Sequence, residues 1–354
     1  MELGEEYRRP TTKWVKGELT DRIDSDSIDP RGMIAAEAGL SPFDQLQWFQ
    51  RVATHWDGTL VPFVAHAWNA GSHCWLFLVH EPKRLVALSN WYAMAFRPVF
   101  TGGADRQLLA ALARRLAKSA SVPATMVLSP VPTADGTADL IVDAFGGNGW
   151  LALRESVSMS WTADVAGQSF ADYWQARPGE LRNTHRRRSK KANVAVEIHT
   201  CFEDSVWDDY VSVYEHSWKP AEGSFAFLRD MAIHDAASGA MRLGIARIEG
   251  QPVAAQLWTV FGGIAYIHKL AHHRDFEACS PGTILSHDMF RHVIDEDQVK
   301  RIDFGTGNDR YKADWMDHSA PLETLTLHKR GTAASMAGLV RARLSKLAAP
   351  FRTA

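Results

Sequence analysis

A chain of 354 residues is too long for one ordinary core and suits two domains of ordinary size. Apolar residues make up 46% and charged residues 23%, which is a folded globular composition and excludes a disordered chain. With 39 basic against 41 acidic residues, the surface as a whole is no polyanion binder, so any anion site must be local.

Residues 1–38 are polar and acidic-leaning, with Asp21, Asp24, Asp26 and Asp29 close together, and read as a loosely ordered lead. Ser41-Pro42 opens a helix through Trp48 and Val52, with proline at the first helical position. The apolar runs 60–67, 74–80 and 85–89 predict a β meander. Leu108, Leu109, Leu112 and Leu116 form one stripe, predicting a helix over 107–119; strands follow at 124–129 and 150–161.

A second series broadly repeats that order. Ser169-x-x-Asp172 starts a basic helical segment running to about residue 192, and the alternation Val194, Val196, Ile198 predicts a strand. Trp207, Val211, Tyr214 and Trp218 give one helix face, and 225–238 a further helix. A hairpin over 241–248 and 252–260 turns at Glu249-Gly250-Gln251, and 264–272 adds a strand. A helix at 283–294, a strand at 301–304, a short helix at 310–316 and a strand at 322–328 complete the series. The chain therefore reads as two copies of one α/β plan, over 39–165 and 166–330. A basic helix within 331–354 follows, either a solvated end or a contact for a membrane surface or acidic partner.

Cys74, Cys201 and Cys279 are odd in number and widely spaced, as reduced thiols of a cytoplasmic protein would be. No secretory signal is visible, and no stretch approaches the roughly 20 apolar residues of a membrane-spanning helix. Several familiar motifs are absent: C-x-x-C, H-E-x-x-H, G-x-S-x-G and the phosphate-binding P-loop. His268, His272 and His273 have no nearby Cys or acidic ligand, so no metal is expected.

The stretch from Ile264 to Trp315 carries the most chemistry. Ser280 suits a helix N-cap, Pro281 the first helical position, and Gly282 a close approach of ligand to backbone. With Thr283, these residues would present free N–H groups to a phosphate, unless the helix is simply well capped. The next strand ends in Asp303-Phe304-Gly305-Thr306-Gly307, followed by Tyr311-Lys312 and Trp315. Strand ends of this kind are where open α/β sheets place their sites.

Trp218-Lys219, Pro252-Val253-Ala254-Ala255-Gln256, His268-Lys269-Leu270-Ala271, Ser280-Pro281-Gly282 and Asp303-Phe304-Gly305…Tyr311-Lys312…Trp315 together resemble a known family. It is the GNAT-fold acetyltransferase-like family associated with cellulose and exopolysaccharide biosynthesis. That family is similar in turn to FemAB-type aminoacyltransferases, which pair two GNAT-like domains. The resemblance spans about residues 40–330 and is strongest over 205–316. It implies an α/β fold of tandem GNAT-like (acyl-CoA N-acyltransferase) domains, with mixed sheets flanked by helices. It also makes the N-terminal copy degenerate, with the cleft between the two domains.

The implied donor is acetyl-CoA or another acyl-CoA, bound at Ser280, Pro281, Gly282, Thr283 and Leu270. Standard GNAT enzymes cradle the pyrophosphate with R/Q-x-x-G-x-G/A, whereas 280–285 here holds one glycine, so the donor rests on the resemblance. The implied mechanism is direct attack of an amine or hydroxyl on a thioester, with strand N–H groups at 266–272 holding the oxyanion. Candidate roles are Tyr311 as acid, Asp303 as base or orienting group, His268 as base, and Lys312 as a counter-charge. Trp218, Lys219, Gln256 and Arg186 are candidates for acceptor binding.

Arg182, His185, Arg186, Arg187, Arg188, Lys190 and Lys191 form the densest basic run, either a solvated face or a grip for a nucleotide-sugar, phosphate or RNA. The leading expectation is an acyltransferase with a small polar or sugar acceptor and no nucleic-acid partner. An aminoacyl-tRNA-dependent transferase and a non-catalytic subunit contacting polysaccharide-assembly proteins are the alternatives.

Overall fold

A computed structural model describes residues 16–35, 41–333 and Met336. The first half comprises β1 (Lys16–Thr20), α1 (Ser25–Ile28), α2 (Leu46–Thr54), β2 (Pro62–Trp68), β3 (His73–Glu81), β4 (Arg84–Ala87) and β5 (Val99–Thr101). It continues with α3 (Arg106–Lys118), β6 (Thr125–Pro132), α4 (Thr137–Gly146) and β7 (Trp150–Asp164). The second half holds α5 (Phe170–Gln175), α6 (Gly179–Lys191), β8 (Val194–His199), α7 (Asp204–Glu215), α8 (Phe225–Ala237), β9 (Met241–Ile248) and β10 (Gln251–Phe261). After these come β11 (Ile264–His272), α9 (Pro281–Arg291), β12 (Arg301–Thr306) and β13 (His318–Lys329). The three cysteines are unpaired.

Local chemistry explains the main boundaries. The Asp105 carboxylate caps α3 by accepting from the N–H groups of Gln107 and Leu108, and the leucine stripe 108/109/112/116 is buried. Ser169 caps α5 by accepting from Asp172 N, as its spacing predicts. Pro178 then divides the single helix expected over 169–192 into α5 and α6. The lead is more ordered than expected: β1 pairs with β2 along its whole length, and Asp24 caps α1. Pro42 begins a one-turn 3-10 helix, Pro42–Asp44, with α2 starting beyond it. The expected helix 333–349 lies outside the described residues apart from Ala333 and Met336.

One mixed sheet runs through both halves in the order β1-β2-β3-β4-β6-β13-β7-β12-β11-β10-β9-β8, with β5 on β3. The last strands of the two halves are exchanged. β7 and β13 pair antiparallel from Trp150↔Lys329 to Thr162↔His318. On their outer sides, β13 pairs with β6 of the first half and β7 with β12 of the second. Helices cover the sheet, and two apolar clusters fill it. One is centred on the first half and α7–α8, the other on α9 and the second half's strands.

Strand β11 pairs parallel with β12 at only three positions, ending at Tyr266↔Asp303. Beyond that the strands part. On its other side β11 stays paired to β10, with a bulge that leaves His268 as an extra residue between Ile267 and Lys269.

Candidate active site

The fork between β11 and β12 opens into a cavity of about 550 Å³. Its walls are the backbone and side chains of 267–270 on β11, 304–307 at the end of β12, and Lys219, Tyr311 and Lys312. The first half closes it with the loop 90–94 and with Ser129, Pro130 and Ser158.

The end of β12 is irregular, and named side chains hold it. Gly305 and Gly307 take φ of 66° and 134°, left-handed conformations that favour glycine. Asp303 Oδ1 accepts from Gly305 N at 2.8 Å, and Trp161 Nε1 donates to Gly307 O at 2.8 Å. Lys312 Nζ donates to the carbonyls of Phe304 at 3.2 Å and Thr306 at 2.6 Å. Carbonyls that have left the ladder need such partners, so a buried lysine is explained by the backbone it serves. Burial lowers the Lys312 pKa to about 8.

Tyr311 sits beside it on the 3-10 helix Arg310–Asp314, its ring edge-on to Phe304 with centroids 5.8 Å apart. Burial first, and the Asp309 charge second, push its hydroxyl pKa upward, so it remains O–H at neutral pH. Lys219 lines the same cavity with its Nζ 5.3 Å from the Trp218 ring, and burial lowers its pKa.

Lys269, Tyr92 and Tyr214 of the same wall belong to an ionic cluster absent from the sequence-level candidates. Lys269 Nζ is 2.9 Å from Glu222 Oε2, with side chains 12% and 1% exposed, and lies over the rings of Tyr92 and Tyr214. Tyr92 donates its hydroxyl to Glu222 Oε1 at 2.7 Å. Burial raises the Glu222 pKa, but the Tyr92 hydrogen bond and the Lys269 charge outweigh it and hold the carboxyl below its usual range. Glu222 lies between Pro220 and Gly223 with no periodic context, so no sequence signal pointed to it.

Of the expected site residues, His268, Leu270, Lys219, Tyr311 and Lys312 line this cavity. Others are placed elsewhere. Asp303 neighbours Phe304 on a strand, so it faces the other way, into a second cavity, and its Oδ1 already holds Gly305. Gln256 is buried, its amide donating to Ser286 Oγ at 2.7 Å and its carbonyl accepting from Trp258 Nε1 at 3.0 Å; it braces β10 against α9. Arg186 is exposed on α6, bonded to Asn183.

Pro281 does open α9, but Ser280 adopts a left-handed φ of 52° and its side chain caps nothing. The preceding 3-10 turn Arg274–Cys279 ends on that residue. Neither Ser280, Pro281, Gly282 nor Thr283 lines the fork cavity. A Cβ on Gly282 would meet the His272 ring at 3.3 Å, and that ring packs on Trp218 at 4.2 Å. Trp218 in turn carries the Lys219 ammonium over its ring.

His268 is a poor base. Burial above all, with the nearby Lys269 and Arg51 charges, lowers its pKa to about 3. Its Nε2 lies 2.9 Å from Thr259 Oγ1, which in turn hydrogen-bonds buried Asp235. The unfolded imidazole protonates near 6.5, whereas the folded one stays neutral down to about 3. Its contribution to stability is therefore lost as pH falls below about 6.5, at up to about 1.4 kcal/mol per pH unit. The stability advantage of the wild type over His268→Gln should shrink at about that rate between roughly pH 6 and 4 in urea titrations. A gap independent of pH would contradict a buried neutral imidazole.

Among the described residues no group of three or more His, Cys, Asp or Glu is placed to hold a metal ion, and no helix is long and apolar enough to cross a membrane.

A sequence model of the acetyltransferase (GNAT) domain matches residues 179–313, from the start of α6 to the Tyr311-Lys312 turn. No curated protein matches the chain. Among solved structures, FemX is similar at 10% identity and a TM-score of 0.58, covering 87% of this chain and 96% of its own. A tandem GNAT protein from the clavulanic acid biosynthesis pathway is similar at 13% identity and a TM-score of 0.51, covering 90% and 100%. The C-terminal domain of a putative lysylphosphatidylglycerol synthetase from Agrobacterium fabrum is similar at 12% identity and a TM-score of 0.51, covering 77% and 85%. At such identities the likeness is one of fold, and the chain has the tandem GNAT-type acyltransferase fold, a large mixed sheet flanked by helices.

Proposed function

We propose that the chain transfers an acyl group from acyl-CoA to an amine or hydroxyl of a polar acceptor, with a sugar or amino-sugar as the leading class. The observation that carries this reading is the fork: β11 loses its β12 partner after Tyr266, and the cavity opens there. Backbone N–H groups of 267–270 without a β12 partner supply donors for a developing oxyanion. The acceptor's lone pair attacks the thioester carbon, the carbonyl oxygen takes the charge, and collapse expels the thiolate. Tyr311, kept protonated, supplies the thiolate's proton, and the ammonium of Lys312 stabilises the charge beside it. The acceptor's own proton leaves to solvent.

CoA should raise the melting temperature of the wild type, because a ligand bound only by the folded state stabilises it. Leu270→Trp, which fills the fork, should abolish the shift while the unliganded protein still melts cooperatively. An unmoved melting curve with millimolar CoA would remove the CoA donor.

A second reading, transfer from aminoacyl-tRNA, has one observation in its favour. Helix α6 leaves Arg186, Arg187, Lys190 and Lys191 exposed, while packing against α9. Under that reading tRNA binds at low salt and weakens steeply as salt rises.

A further inference from the structure

A second cavity, of about 670 Å³, continues from the first along β6 and β7. Pro130 and Ser158 line the first, and Pro132 and Ser160 the second. Met94 lines both, and its methyl carbon lies 3.3 Å from where a Cβ on Gly305 would sit. A flexible thioether is therefore shared by the two spaces at the fork.

The charges around this second cavity do not balance. Four carboxyls, Asp44, Asp135, Asp164 and Asp303, face two guanidiniums and His318. Arg97 Nε donates to Asp135 at 2.7 Å, and Arg301 Nε to Asp164 at 2.7 Å, so each guanidinium already has its own partner. Asp44 is left with a share of Arg97 at 3.8 Å, and its Oδ1 is buried with no hydrogen-bond partner. Asp303 accepts the Gly305 N–H on one oxygen and, among the described residues, has no ion pair of its own. Burial raises the pKa of both carboxyls, that of Asp44 to about 6. Buried carboxyls with so small a share of counter-charge cost stability, and a cation entering the cavity would reduce that cost.

We propose that the second cavity binds the acceptor through a primary ammonium group, with Asp44 and Asp303 as its counter-charges, next to the donor across Met94. That the bound molecule is the acceptor rests on the acyl-transfer reading above; ammonium binding does not. Met94, which lines both cavities, is the side chain they share.

The test is calorimetric titration of the full chain with matched probes: glucosamine against glucose, and ethanolamine against ethylene glycol. The ammonium member of each pair should bind at least about tenfold more tightly, and Asp44→Asn should erase that preference. Because the substitution removes a buried, poorly paired carboxyl, Asp44→Asn should melt no lower than the wild type, and CoA binding should be unchanged. Equal binding within both pairs, no binding by either ammonium probe, or an undiminished preference in Asp44→Asn would overturn the proposal. Ammonium binding without CoA binding would instead sink the donor reading alone.

Discussion

Tyr311→Phe should lower turnover by roughly 10²- to 10⁴-fold while the donor's KM stays nearly constant, the signature of a lost general acid. Tyr311 lines the fork cavity, and its hydroxyl, with a pKa raised further from the ordinary tyrosine value, is protonated at neutral pH. Phe retains the ring that packs edge-on against Phe304, so the fold should not notice the change. Lys312→Ala should behave differently. Its Nζ holds the carbonyls of Phe304 and Thr306, so its loss loosens the cavity wall and should damage both kcat and KM. Its ammonium is the form that stabilises charge, and with a pKa of about 8 that form is lost as pH rises through 8. Wild-type activity should fall on that alkaline limb. A Tyr311→Phe enzyme with wild-type turnover would reduce Tyr311 to packing.

Lys269→Met should destabilise the fold by roughly 3–5 kcal/mol, because it leaves the Glu222 carboxylate buried and uncompensated. Glu222 is 1% exposed, and the side-chain partners left to it are hydroxyls, those of Tyr92 at 2.7 Å and of Tyr214, which carry no charge. Adding Glu222→Gln should recover half or more of the loss, since the amide removes the charge while keeping an acceptor for Tyr92. The measurement is a double-mutant cycle in urea. A double variant as unstable as Lys269→Met alone would show that the lysine stem's packing, over the rings of Tyr92 and Tyr214, matters more than the ion pair.

Much of the fold follows from local pattern. The leucine stripe of α3, the alternation of Val194, Val196 and Ile198, and the Glu249-Gly250 turn each dictate an element through nearby residues alone. The exchange of β7 and β13 does not. It depends on pairing between residues far apart in the chain, such as Trp150 with Lys329, and no short window encodes it. Helix α4 has no comparable local signal, since its stripe of Ala138, Ile141, Ala144 and Phe145 starts after Gly136 with no side-chain cap.

The site was legible in part, for related reasons. The Tyr311-Lys312 turn and the glycines before it announce an irregular strand end, and that end does form the fork wall. Asp303 was assigned to the same space because sequence gives strand alternation without saying which face holds the cavity. Gln256 shows the same gap, since a polar side chain on a central strand can brace a helix as readily as bind a ligand. Met94 and Asp44 come from the first half, and only the assembled fold brings them to the fork and its neighbouring cavity.

Acyl transfer in the fork is tested most directly by following thiol release from acetyl-CoA with amino-sugar and sugar acceptors, on the wild type and on Tyr311→Phe. The account predicts acceptor-dependent thiol release by the wild type, matched by acetylated acceptor in mass spectra, and its near loss in Tyr311→Phe. A wild type that binds CoA tightly yet releases no thiol with any acceptor would contradict it and leave the chain a non-catalytic binding subunit.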